Sequence, residues 1–443
     1  MIPSMVRSAK VHALAIAAIA FAATSCSRAL PTAPDSGVDR TRYGADAFAT
    51  QGLENQVAIV FQEGTDAARI ARDYGAIVVT QESEGRTAAL RPLPGQSPAV
   101  LMDRLLLDPR VVTSEPNAWI EPAEARQQSF AFDDGFGNAG TFAGQASLTQ
   151  LGLDHAHDIS TGQNVKVAII DTGLDLKHPA LRHRLVAGWD FVGNDPNPTD
   201  VRDFIDNDRD GRADEAYGHG THVAGIVTLV APGARIMPIR VLDADGRGDI
   251  VNVTAGVRWA IEQGAKVINL SLGTSTRCDA LQDVLEEAKD AGVIVIATAG
   301  NWGTDAVVDF PGRSSHVLCI AAVDGTANGA AFSSRGGDVT ISAPGVAVRS
   351  TYPGGGYRLW TGTSMSAPFV TGAAALLAEE HPGWGLVEVE DRLTLTARRL
   401  ASAPAGAQTR DYGAGALDVA AALRPDFVPG PNNDPGPEEI RPR

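Results

Sequence analysis

Val165-Lys166-Val167-Ala168-Ile169-Ile170-Asp171-Thr172-Gly173 is a short apolar run closed by a carboxylate, a hydroxyl and a glycine. An apolar strand without polar alternation needs cover on both faces. Three further runs of this kind follow at residues 235–241, 266–270 and 293–298. Between them, Ile250, Val253, Val257 and Ile261 fall on one helical face, as do Leu281, Val284, Leu285 and Ala288, and Gly264 and Gly292 suit the ends of those helices. Strands alternating with helices predict an α/β fold of three layers, a central, mostly parallel sheet between two helical layers. Sites in such sheets lie beyond the carboxyl ends of the strands, which is where Asp171 stands.

Upstream, residues 57–61, 86–91 and 111–115 read as strands, with another between them, and residues 66–74 and 98–107 as helices. The order is that of a small α+β unit, βαββαβ. The polar, Gly-rich stretch after it reads as a linker. The expected organisation is an export signal over residues 1–25, a tether over 26–53, the βαββαβ domain over 54–122, a linker over 123–146, the α/β domain over 147–423 and a proline-rich disordered tail over 424–443.

With 44% hydrophobic and 20% charged residues, the chain has the composition of a folded globular protein rather than a disordered or fibrous one. Its formal net charge of −16 repels polyphosphate, so no nucleic acid partner is expected. Three cysteines, Cys26, Cys278 and Cys319, are too few for a disulfide framework or a four-thiolate zinc site. Cys278 and Cys319 are expected as small buried apolar groups.

Three segments carry chemistry. Asp171-Thr172-Gly173 alone also fits an aspartic protease, but the other match, Asp35-Ser36-Gly37, lies in the tether of a chain that is not all-β. His219-Gly220-Thr221-His222-Val223-Ala224-Gly225 opens an apolar helix and lacks the glutamate of a zinc-protease helix. Gly362-Thr363-Ser364-Met365-Ser366-Ala367-Pro368 puts a serine at a helix start, where it could simply cap the helix or gain as a nucleophile from the positive end of the dipole. Together, Asp171, His219 and Ser364 fit a nucleophile, its base and the group that orients the base.

Those three segments resemble the active-site signatures of the subtilisin-like serine proteases, the subtilases, over residues 147–423. The resemblance implies an endopeptidase acting on protein or peptide substrates through an acyl-enzyme, with no cofactor for catalysis. Ser364 would attack, His219 would carry the proton, and Asp171 would fix the imidazole. Ala299-Gly300-Asn301 matches the family's oxyanion motif, with Asn301 and the Ser364 N–H as donors. Gly246-Arg247-Gly248 and Ser271-Leu272-Gly273 resemble the substrate cleft, so Gly246, Gly248, Ser271, Leu272 and Gly273 are its candidates. Asp309-Phe310-Pro311-Gly312 resembles the turn at the base of the first specificity pocket, which would make Asp309 acidic bait for a basic side chain; the alternative is that Asp309 faces solvent or pairs with Arg313. The βαββαβ unit resembles the family's propeptide, an intramolecular inhibitor, so a zymogen cut between about residues 122 and 144 and a monomeric enzyme are expected. A catalytically dead fold serving as a binding module is the competing class.

Asp206, Asp208 and Asp210, followed by Gly211, match the first half of an EF-hand loop, with Asp214 or Glu215 needed to complete a calcium shell. The alternative is a solvated acidic loop. The segment at residues 226–234 is too short for the calcium loop that many subtilases carry there. At the N-terminus, Arg7 and Lys10 precede an apolar run at residues 13–23 that is too short to span a bilayer. Its end, Ala-Thr-Ser-Cys, resembles a bacterial lipoprotein signal with Cys26 lipidated; ordinary cleavage, for instance after Ala22, is the other reading. Either way the protein is expected to be exported, to the cell envelope or beyond.

Overall fold

A computed structural model describes residues 52–82, 85–127, 129–303, 308–404 and 407–425. The export signal, Cys26, nearly all of the tether and the tail from residue 426 lie outside the described residues.

The N-terminal unit runs β1 (Gly52–Phe61), α1 (Ala67–Tyr74), β2 (Ala76–Gln81), β3 (Thr87–Pro92), α2 (Pro98–Leu105) and β4 (Val111–Ile120). Asp66 caps α1 by accepting from Ala68 N at 2.9 Å. The helices pack Ile70, Leu101 and Leu105 onto Val57, Ile59 and Leu90 of the antiparallel sheet. Four short helices follow: α3 (Ala123–Gln127), α4 (Ala139–Ala143), α5 (Ala146–Leu151) and α6 (Leu153–His157).

The α/β part contains β5 (Lys166–Asp171), β6 (Trp189–Asp190), α7 (His219–Val230), β7 (Arg235–Arg240), β8 (Gly248–Asp249), α8 (Ile250–Glu262), β9 (Val267–Leu270), α9 (Asp279–Asp290), β10 (Ile294–Thr298), β11 (Leu318–Val323) and β12 (Ile341–Pro344). It continues with a hairpin, β13 (Val348–Tyr352) and β14 (Gly356–Trp360), then α10 (Thr363–Glu380), α11 (Leu386–Thr396) and α12 (Val419–Leu423). Seven strands form one parallel sheet in the order β12-β11-β10-β9-β5-β7-β6. Strand alternation divides β5 between the two faces: Val167 and Ile169 join α7 and α10, while Ala168 and Ile170 join α8 and α9. From β5 the chain crosses through α7 to β7 on one side and then through α8 to β9 on the other. The crevice at the carboxyl end of β5 is therefore a topological switch point.

The four strands read from sequence lie within a residue of their expected bounds, whereas β4 runs five residues past its expected end at Glu115. The extension exists because the strand acquires a second neighbour. Trp119 and Ile120 pair antiparallel with Asp249 and Gly248 of β8, and the Glu115 carboxylate caps α9 by accepting from Asp279 N and Ala280 N at 2.8 and 2.9 Å. Cys278 and Cys319 are buried thiols that form no disulfide. Among the described residues no helix is long and apolar enough to cross a membrane.

Candidate active site

The carboxyl ends of β5, β9 and β10 and the first turns of α7 and α10 meet in one crevice. Asp171 ends β5 and is fully buried. His219 is the first residue of α7, and its Nδ1 lies 2.7 Å from Asp171 Oδ1, which also accepts from Thr172 N. Gly220 makes this approach possible, because a Cβ there would stand 2.3 Å from the Gly173 carbonyl oxygen. Trp360 presses edge-on to the His219 ring, with centroids 5.2 Å apart.

Ser364 sits in the first turn of α10, a helix buried along nearly its whole length. Pro368 lacks the N–H that would bond the Ser364 carbonyl one turn back, and that carbonyl accepts instead from Ser271 Oγ at 3.0 Å. This ties the turn that carries Ser364 to the segment leaving β9. Asn301, just past β10, accepts at Oδ1 from Thr363 N and Thr363 Oγ1, at 3.0 and 2.9 Å. Its amide is thereby aimed into the crevice beside Ser364 N.

Sequence reasoning missed Glu124, which occupies the centre of this arrangement. Its Oε1 accepts from Asn301 Nδ2 at 3.0 Å and from Ser364 N at 3.2 Å, while Oε2 accepts from Ser364 Oγ at 2.5 Å and lies 3.6 Å from His219 Nε2. The Ser364 hydroxyl thus donates to Glu124, and His219 Nε2 has no hydrogen-bond partner. Burial by itself would raise the Glu124 carboxyl, but His219, Ser364 and Asn301 hold it below the usual carboxylate range. Burial would likewise lower His219, yet Asp171 and Glu124 outweigh it and lift the imidazole to about 10. His222, a turn later and also buried, is pushed down to about 3 by burial and by the charge on His219. A lone glutamate four residues past a strand carries no motif; the available signal was the continuation of β4 toward the serine.

The segments around Gly248 and Gly273 take up the N-terminal unit's own chain. Ile120 pairs with Gly248, and Glu121 exchanges both backbone hydrogen bonds with Gly273, at 2.9 and 3.1 Å. Pro122 packs over Gly246, where a Cβ would lie 3.0 Å from its Cδ. Leu272 is buried beneath, in the core shared with α8 and α9. Asp309 is 1% exposed, so it does not face solvent; it accepts from Trp302 Nε1 at 3.0 Å and lines the space between Gly273 and Gly300. Arg313 directs its guanidinium to the carbonyls of Val308 and Ser275, at 3.1 and 2.8 Å.

Asp206, Asp208 and Asp210 converge, with one oxygen of each within 4.8 Å of the others. Asp214 Oδ1 accepts from the N–H groups of Asp203 and Phe204, at 2.9 and 3.1 Å. Both Glu215 oxygens are buried without a hydrogen-bond partner, and burial together with Asp245, Asp208 and Asp210 raises the carboxyl to about 7.

A family model described as "Subtilase family" (Peptidase_S8) matches residues 162–415, more than half of the chain. The chain belongs to the subtilase family. It is 39% identical over 276 residues to subtilisin E of Bacillus subtilis (strain 168), covering 60% of this chain and 67% of that protein. It is equally similar, at 39% over 276 residues, to the subtilisin of Bacillus pumilus, of which it covers 92%. The structure is similar to that of fervidolysin from Fervidobacterium pennivorans, described as a keratinolytic enzyme related to subtilisin, with a TM-score of 0.69 and 26% identity over 86% of this chain. This chain spans 62% of the fervidolysin chain. Like its subtilisin relatives, this subtilase is a serine endopeptidase.

Beneath the subtilase site, Asp200 Oδ2 accepts from Gly218 N at 2.7 Å and from Thr172 Oγ1 at 3.1 Å, while Oδ1 has no partner. Burial lifts this carboxyl to about 8. A carboxyl raised on folding favours the protonated native state, so stability falls as pH rises from about 4 to about 8. Asp200→Asn keeps the accepting oxygen and removes the titration. It should flatten the dependence of melting temperature on pH across that window in the Ser364→Ala chain, and an unchanged slope would refute the assignment.

Proposed function

We propose that Ser364, His219 and Asp171 hydrolyse peptide bonds through an acyl-enzyme in an exported protein made as a self-processing zymogen. One observation carries this reading: the chain's own N-terminal unit lies paired along Gly248 and Gly273, and the helical turn after it sets a carboxylate against the serine. Ser364 Oγ attacks the substrate carbonyl as His219 takes its proton; the C–N bond then breaks as His219 returns that proton to the leaving amine, and water repeats the cycle to free the acid. Asn301 Nδ2 and Ser364 N stabilise the charge on the carbonyl oxygen. Substrate is gripped through its main chain by Gly248 and Gly273, as an added strand. Export to the envelope with Cys26 as the lipid-bearing residue, or secretion, completes the reading.

Ser364→Ala should abolish both peptidase activity and removal of the N-terminal unit, read by peptide turnover and intact mass. Asn301→Ala should lower kcat by roughly 100- to 1,000-fold, the loss known for removal of this donor from a subtilisin. Normal processing of the serine variant would refute self-cleavage.

Asp309 supports a preference for Lys or Arg before the cleaved bond, since a buried carboxylate gains most from a charged partner. Asp309→Asn should reduce the ratio of cleavage after Arg to cleavage after Leu; an unchanged ratio with apolar substrates favoured would remove this role.

The carboxylates of Asp206, Asp208 and Asp210, with the unpartnered oxygens of Glu215, offer the hard donors that calcium takes, and such an ion would brace the loop leading to α7. EDTA should lower the melting temperature, an effect lost in Asp208→Ala/Asp210→Ala; identical melting with and without EDTA would exclude the site.

A further inference from the structure

We propose that Glu124 is a built-in latch: its side-chain carboxylate keeps the uncut chain latent by filling the place of the reaction's oxyanion and by holding His219 as an imidazolium. The inference rests on the zymogen reading above and adds which atom enforces latency, and how.

The uncut chain is pinned on both sides of the nucleophile. Upstream, Ile120 and Glu121 are strand-paired to Gly248 and Gly273. Downstream, Ser129 Oγ donates to the Thr361 carbonyl at 2.7 Å, Trp360 Nε1 donates to the Ser129 carbonyl at 2.9 Å, and Phe132 and Leu359 exchange backbone hydrogen bonds at 2.9 and 3.0 Å. Between the pins the chain does not continue extended. Ala125 N bonds back to the Pro122 carbonyl, and a single helical turn, α3, begins. That turn offers the site a side chain where a substrate would offer its carbonyl.

The position of the carboxylate is specific. Oε1 takes the two donors that would receive the developing oxyanion, Asn301 Nδ2 and Ser364 N. The approach is so close that any Cβ at residue 362 would collide with Oε1, and Gly362 leaves the room. Oε2 accepts the hydrogen bond of the Ser364 hydroxyl and faces His219 Nε2 at 3.6 Å. His219 is therefore sandwiched between Asp171 from β5 and Glu124 from α3. The other groups around it are Ser364 from α10, the Trp360 edge from β14 and the neutral His222 on its own helix. Two carboxylates stabilise the cation, and an imidazolium cannot take a proton from Ser364. One side chain thus removes the oxyanion donors, the base and the nucleophile's hydrogen bond together.

The test has two arms, both on the full-length chain. In the first, histidine nitrogen NMR follows His219 in the Ser364→Ala background. It should stay doubly protonated well above neutral pH, and Glu124→Gln should bring its titration down toward the ordinary imidazole range; titration unmoved by Glu124→Gln would overturn the latch. In the second, a fluorophosphonate probe labels the uncut band of the Ser364-bearing chain. Removing a charge-assisted hydrogen bond weakens the latch enough for labelling of Glu124→Gln and Glu124→Ala to exceed the wild-type rate by roughly 10- to 100-fold at pH 8. Wild-type labelling should climb only as pH passes about 10, where His219 loses its proton, and the climb should come at lower pH in the variants. Equal or slower labelling in both variants would overturn the proposal. If Glu124→Ala loses its melting transition, the isosteric Glu124→Gln decides. If no chain labels at all, the serine assignment fails instead, and the His219 titration still decides the latch.

Discussion

A helix buried over residues 363–378 has one place to go. With apolar residues all round, α10 must lie inside a layer, against the sheet on one side and α7 on the other, rather than float on the surface. Once it is there, its N-terminal turn opens at the carboxyl edge of the parallel sheet, and Ser364 is delivered to the ends of β5, β9 and β10. The bond from Ser271 Oγ to the Ser364 carbonyl, freed by Pro368, fixes the depth of that turn. The positions of Asp171, Asn301 and His219 follow from which strands and helices meet the same edge.

The crevice is electrostatically crowded. Asp171, Asp200 and Glu124 are three buried carboxyls served by one buried histidine and a few fixed donors. Glu124, beside the imidazole, is held below the usual carboxylate range, while Asp200, with two donors on one oxygen and none on the other, is pushed toward its neutral form. The protonation of the site is therefore a property of the group, and removing the one carboxylate that the N-terminal unit contributes changes the histidine as well as the cavity.

The N-terminal unit binds the peptidase part by continuing its secondary structure. β4 adds to β8, Glu115 caps α9, and Val251 of α8 packs against Ala58 and Ala89. Strand addition uses main-chain groups that any extended peptide presents, so the surface that holds this unit is not specific to its side chains.

Much of this was written in the sequence. The unbroken apolar runs, with Ile169 and Ile170 in the first of them, and the helical faces that carry Val253 and Val284 specify a covered parallel sheet, because hydrophobic period is a local property. The motifs around Asp171, His219, Asn301 and Ser364 are also local: each needs its own small residues for a tight turn or a close approach, so each announces itself. What tertiary structure alone decided involves residues far apart whose types are ordinary. Nothing beside Glu124 marks it; it matters because β4 runs on to pair with β8 and the chain then turns once above the serine. Asp214 has the spacing of a calcium loop by pattern, and the fold set one of its oxygens against the N–H groups of Asp203 and Phe204. Asp309 could have faced water by pattern, and burial beside Trp302 decided otherwise. Local periodicity fixes elements and turns, whereas the partner of a buried charge is chosen by whatever the fold brings within about 3 Å, a distance that sequence separation does not encode.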